Sequence, residues 1–181
     1  MNFRHKNTEI FFDYWLSLPK EKYVPMRCSF HPEKIPALLT NMMIYELLSC
    51  SKIRRRLLGS RLDLLGIGGV GPDDIRSATL SGICGDGRRE AEDITRFEIL
   101  DTQPCGLLVV AQQSLKSGLE VLVETLCLPL LGDKDGNSQI IIQKNILDDP
   151  AFMPHRDIFS SDHVPVTECH FVDIGAGTPE L

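Results

Sequence analysis

An α+β fold built on one antiparallel sheet is predicted by three observations on the 181-residue sequence. Two runs with strand character, 42–49 and 52–58, follow each other across the small polar link at Cys50 and Ser51. Three more, 106–114, 118–130 and 139–147, are rich in Val, Leu and Ile and are separated by turn residues, as in a meander. Between the two groups the chain reads as helical, so strands are joined locally at both ends instead of alternating with helices.

The elements follow in order. Residues 7–18 form an amphipathic helix: Ile10, Tyr14 and Leu18 recur at four-residue spacing with Phe11 and Trp15 beside them. Asn7 or Thr8 is the expected cap, and Pro19 the stop. An aromatic stripe this rich packs on the body of the chain or on a second copy, so Phe11, Tyr14 and Trp15 are the candidate dimer-interface residues. His31-Pro32-Glu33 opens a short helical piece through Leu39, kept irregular by Pro36. A helix is expected from Pro72, where Asp73 and Asp74 suit the positive end of the helix dipole. Another runs from Asp86 to about Phe97, with Ala91, Ile94 and Phe97 on one side. Lys116-Ser117-Gly118 and the stretch from Gly132 to Ser138 are hairpin turns. The organisation expected is an N-terminal helix (1–19), a core (20–147) and a C-terminal extension (148–181).

A formal charge of −6 argues against a dedicated nucleic-acid binder, which carries a basic face. Met1 to Lys6 is polar and basic, and Asp13 and Ser17 interrupt the apolar residues that follow, so no signal peptide is read. Glu120 and Glu124 break up the longest candidate membrane span. Six scattered cysteines without a CxxC pair suit reduced thiols, and a cytoplasmic location is expected.

Several motifs invite a chemical reading. Gly66 to Gly71 (GIGGVG) satisfies the GxGxxG dinucleotide pattern, with Asp93 at about the expected distance of ~20 residues. The preceding Leu62-Asp63-Leu64-Leu65 is too short and too acidic for the buried parallel strand such a site needs, so a connector is the better reading. Asp133-Lys134-Asp135-Gly136-Asn137 begins like a calcium loop, but Ser138 and Lys144 stand where the motif requires Gly and Glu. In Arg54-Arg55-Arg56, strand alternation puts the outer two on one face and Arg55 on the other; one arginine turned inward would pair with a carboxylate or an anionic ligand. His155, Asp157, Asp162, His163, Cys169, His170 and Asp173 are metal-capable, but no standard zinc spacing joins them. No nucleophile or phosphate-binding signature surrounds Cys84, Cys105 or any serine. Neither a metal nor a particular cofactor is indicated.

Several segments together resemble a bacterial family of short, often stand-alone PAS-like proteins. They are Tyr14-Trp15 with Leu18-Pro19, His31-Pro32 through Ile35 with Leu38 and Leu39, Arg56-Leu57-Leu58-Gly59, Glu124 through Leu130 with its Leu128-Pro129-Leu130, and Asp173-Ile174-Gly175-Ala176-Gly177. Their order covers about residues 8–177. The resemblance implies a PAS fold: a five-stranded antiparallel sheet with helices on one face and an extra N-terminal helix. Such folds enclose a small cavity between sheet and helices or dimerise through the sheet and N-terminal helix.

The function expected is a non-catalytic sensory or regulatory domain that binds a small molecule between residues 72–99 and the sheet and signals to a separate partner. Arg56 is the polar candidate for that pocket, and Phe97, Val109 and Leu126 are its apolar candidates. A homodimer is expected, without nucleic-acid or membrane partners. A ligand-free dimerisation or protein-interaction module is the second reading, and a nicotinamide-dependent enzyme through Gly66–Gly71 the third.

Overall fold

The computed structural model describes residues 2–49, 52–67, 76–77, 103–133, 136–147 and 166–179. The helix expected over 86–97, and Phe97 with it, lies outside the described residues; of the helix expected from Pro72 only Arg76 and Ser77 are described, and they form a strand instead.

Helix α1 spans Lys6–Ser17. Its cap is His5, not Asn7 or Thr8: the imidazole Nδ1 accepts from the Asn7 N–H at 3.0 Å. Leu18, immediately before Pro19, has already turned to extended backbone, as a residue preceding proline must. The buried stripe is Thr8, Phe11, Trp15 and Leu18, while Ile10 is 41% exposed. A two-stranded ribbon follows, β1 (Lys20–Glu21) and β2 (Val24–Pro25). Three 3-10 turns, Arg27–Ser29, Pro32–Lys34 and Pro36–Asn41, lead to the main sheet. Pro32 and Pro36 each begin a turn, where their missing N–H leaves no bond unmade.

The main sheet comprises β3 (Met42–Ser49), β4 (Lys52–Leu58), β5 (Arg76–Ser77), β6 (Gly106–Ser114), β7 (Glu120–Leu130), β8 (Gln139–Ile146) and β9 (Val166–Val172). Helix α2 (Ser60–Leu65) follows β4. The spatial order is β5-β4-β3-β8-β7-β6-β9, and every neighbouring pair is antiparallel. The five expected strands form the centre, and two more flank them: the short β5 beside β4, and β9 beside β6. The segment expected as a C-terminal extension therefore supplies a full strand of the sheet.

Side chains alternate across a strand, so the sheet has two faces. On one, Phe11, Trp15 and Leu18 pack with Met42, Ile44, Leu108, Leu126, Leu128 and Ile141. This is the α1 face. On the other, Leu62 and Ile67 pack with Met43, Tyr45, Leu107, Val109, Val123, Cys127, Ile140 and Ile142. This is the α2 face. Both faces are apolar and buried, which is why β7 reads as a nearly unbroken hydrophobic run.

Candidate functional site

The α2 face carries a buried polar cluster inside its apolar core. Lys144 on β8 and Gln113 on β6 are 2% and 4% exposed. The Lys144 ammonium donates to the Ile67 carbonyl at 3.1 Å and to Gln113 Oε1 at 3.3 Å. Local structure aims that carbonyl. Gly66 ends α2 at φ 80°, a left-handed conformation that suits glycine, and its N–H closes onto Leu62 O at 3.0 Å. Lys116 holds the same helix end from the side, its N–H donating to Leu65 O at 2.8 Å and its Nζ to Asp63 O at 2.6 Å. Gln113 Nε2, in contrast, is buried with no hydrogen-bond partner among the described residues.

A second polar seam lies on the α1 face. Glu124, fully buried, accepts from the backbone N–H groups of Arg4 at 2.7 Å and His5 at 3.1 Å, just ahead of α1. The Arg4 side chain pairs with Glu168 on β9. Asn145 is the hub of the seam: it donates to Thr8 Oγ1 at 3.0 Å and receives Asn41 Nδ2 at 3.3 Å and Gln143 Nε2 at 3.5 Å. Helix α1 is thus set on the sheet by hydrogen bonds as well as by its aromatic stripe.

The residues expected at a pocket do not converge. Arg56 is the extra residue of a β-bulge, because Ile44 pairs with Leu57 and Tyr45 with Arg55. Its side chain is 52% exposed, with Nη1 3.7 Å from Glu46 Oε2, and Arg54 flanks the same carboxylate at 3.9 Å. These are ion-pair distances rather than hydrogen bonds, and Glu46 Oε1 takes its hydrogen bond from Asn137 at 3.3 Å. The expected pocket arginine is instead a surface ion-pair partner. Val109 stands opposite Thr125, whereas Leu126 stands opposite Leu108, so Val109 lies in the α2 core and Leu126 in the α1 core. No single cavity can have both as its wall.

Phe11 and Trp15 are wholly buried within their own chain, and Trp15 Nε1 donates to Pro129 O at 3.0 Å. Tyr14 is half-buried, and its hydroxyl bridges the His31 N–H and carbonyl at 2.9 Å each. Phe11 and Trp15 therefore offer no surface to a second copy. The residues before Gly66 form helix α2 and the sheet is antiparallel, so the strand–turn–helix that a dinucleotide site requires is absent there. Asp133 serves its turn: its carboxylate accepts from the Cys28 N–H at 3.1 Å.

A cleft of about 40 Å³ lies at the end of the sheet, lined by Val24, Leu47, Leu131, Ser138, Gln139 and Ile140 among others. It has room for a few waters; pockets for small molecules are on the order of 300–1,000 Å³. Among the described residues no group of three His, Cys, Asp or Glu side chains could hold a metal ion. Nor, among them, is any helix long and apolar enough to cross a membrane.

Cys105 sits at the entry to β6 in the α2 core, and burial pushes its thiol up from 9.0 to about 11. Unfolding releases that proton more readily, so this contribution to stability is present below pH 9.0 and lost as the pH rises towards about 11. Cys105→Ala should accordingly flatten the fall in denaturation midpoint across that interval. An unchanged pH profile would remove Cys105 as its source.

Sequence reasoning missed Lys144 and Gln113. The available signal was the polar triplet Gln143-Lys144-Asn145 inside an otherwise apolar strand, which must bury polar groups on both faces.

A family profile described as a PAS domain matches residues 3–142, more than three quarters of the chain. The match takes in α1 and most of the central sheet and ends before β9. No curated protein matches the chain. The strand order β4-β3-β8-β7-β6, the helix on each face and the span of the profile agree, and the chain belongs to the PAS domain family of sensory and regulatory domains.

Proposed function

We propose that the protein is a non-catalytic sensory domain of the cytoplasm that takes a small molecule on the α2 face of its sheet and passes its state to a separate partner protein. One observation carries this reading. The α2 face holds a buried donor, Gln113 Nε2, with no partner among the described residues. Buried donors are almost always paired in folded proteins, and a bound molecule supplies the missing acceptor. Lys144 beside it makes this part of the face polar in otherwise apolar surroundings.

Native mass spectrometry of freshly purified protein, with an absorption spectrum, tests the proposal. Extra mass that disappears on denaturation is expected, and the spectrum shows whether the molecule is a chromophore. A chain that is free of any small molecule and assembles into a dimer would replace this reading with that of an interaction module.

A further inference from the structure

We infer that the molecule held on the α2 face presents a carbonyl-type oxygen to Gln113 Nε2. The inference rests on the proposed sensory function and adds the chemical class of the ligand.

The orientation of the Gln113 amide is fixed by chemistry. Lys144 Nζ donates to Gln113 at 3.3 Å, as it does to the Ile67 carbonyl, so the end of the amide that faces it is the carbonyl oxygen Oε1. The end pointing away is therefore the NH2 group. It is buried in a side chain only 4% exposed and has no hydrogen-bond partner among the described residues. A ligand meeting it must accept a hydrogen bond. A donor there would leave two polar groups opposed and desolvated.

The surroundings define the rest of the ligand. Val121 lies directly opposite Gln113 on β7, and Ala111 precedes it by two residues on the same face of β6. Val123 and Ile142 continue the apolar surface. The ligand that matches these surroundings has an apolar body with an sp2 oxygen at one edge, either a neutral carbonyl or a carboxylate. Lys144 acts as a positioning residue, since it holds Oε1 and so aims Nε2. Both side chains stand on central strands, which gives the pair a fixed geometry.

Benzamide, benzoate and toluene are probes of matched size bearing a neutral carbonyl, a carboxylate and no acceptor. Their binding to the full chain can be followed by ligand-observed NMR and thermal shift. At least one of the two oxygen-bearing probes should bind about tenfold or more tighter than toluene. The better of the two tells a neutral carbonyl from a carboxylate. Gln113→Met keeps the length of the side chain without the donor and should reduce that probe to the level of toluene. Gln113→Glu keeps an oxygen for Lys144 but replaces the donor by an acceptor, and should exclude benzoate most strongly. It also guards against a Gln113→Met protein that does not fold.

Equal binding of toluene, or an oxygen advantage that survives in the folded variants, would overturn the inference. A co-purifying molecule retained equally by Gln113→Met would overturn it while leaving the sensory reading in place. No co-purifying molecule together with no probe binding would mean that water alone meets Nε2, and both readings would fall.

Discussion

Trp15→Ala should cost the fold about 3–5 kcal/mol, a large share of the roughly 5–15 kcal/mol that holds a domain together. The indole is fully buried between α1 and the sheet, so truncation opens a cavity that Phe11, Leu128 and their neighbours cannot fill. It also removes the donor to Pro129 O at 3.0 Å. That carbonyl lies at the end of β7, past Cys127, the last β7 residue paired with β6, so the sheet supplies no substitute on that side. Lys20, whose ammonium lies 5.1 Å from the ring centroid, loses its platform as well. A urea titration followed by circular dichroism measures the effect. A loss below about 1 kcal/mol, the scale of a surface substitution, would mean that α1 is not part of the cooperative core.

Gly59→Ala has the second large effect. Its backbone angles, φ −66° and ψ 139°, are open to any residue, so the requirement is for space and not for conformation. A Cβ there would collide with Thr40 O and sit 2.5 Å from Leu39 O. Both are backbone atoms, and no rotamer change relieves the clash. The Gly59 N–H donates to Met42 O at 2.8 Å, which pins the start of α2 against the first residue of β3. Overpacking of this kind costs about 1–3 kcal/mol or more. Any relief must come by moving α2, and with it the Ile67 carbonyl that Lys144 holds. Chemical-shift changes in the variant should therefore reach Lys144 and Gln113 through that contact. A variant of wild-type stability with an undisturbed Lys144 would show that the Thr40 and Gly59 backbones are not in fact this close.

The strands were legible because their chemistry is local. Segments 42–49, 52–58 and 106–114 were read with the bounds the structure gives them, and the two ends of the β7–β8 hairpin moved by one or two residues. Their β-branched runs and intervening turn residues leave little choice. The helix cap was missed because His5 is outside the usual set of Ser, Thr, Asp and Asn. Strand β9 was hidden because Val166–Val172 mixes Glu168, Cys169 and His170 with apolar residues, as a strand with one neighbour among the described residues can. Helix α2, only six residues between two glycines, has too little periodicity to register.

The site was less legible, since it depends on which face each side chain takes, and register decides that. Alternation correctly grouped Arg54 with Arg56, but the bulge and the pairing with β3 place both with Glu46 on the outer part of the α1 face. Val109 and Leu126 look equivalent as apolar strand residues, yet one step of register puts a sheet between them. Glu124 in a hydrophobic run served to argue against a membrane span, while its structural task is to gather the N–H groups ahead of α1.

Strand β9 has a consequence for how the molecule stays separate from its neighbours. Without it, Gly106–Ser114 would be a nine-residue edge whose outward amides and carbonyls would recruit any extended chain in a crowded solution. The profile that defines the family ends at residue 142, so the guard on this edge comes from chain beyond it. Glu168 and the exposed His170 put polar and charged groups along the new border. The last strand therefore exchanges a sticky, aggregation-prone rim for a short and polar one, and protects the solubility of a fold it does not define.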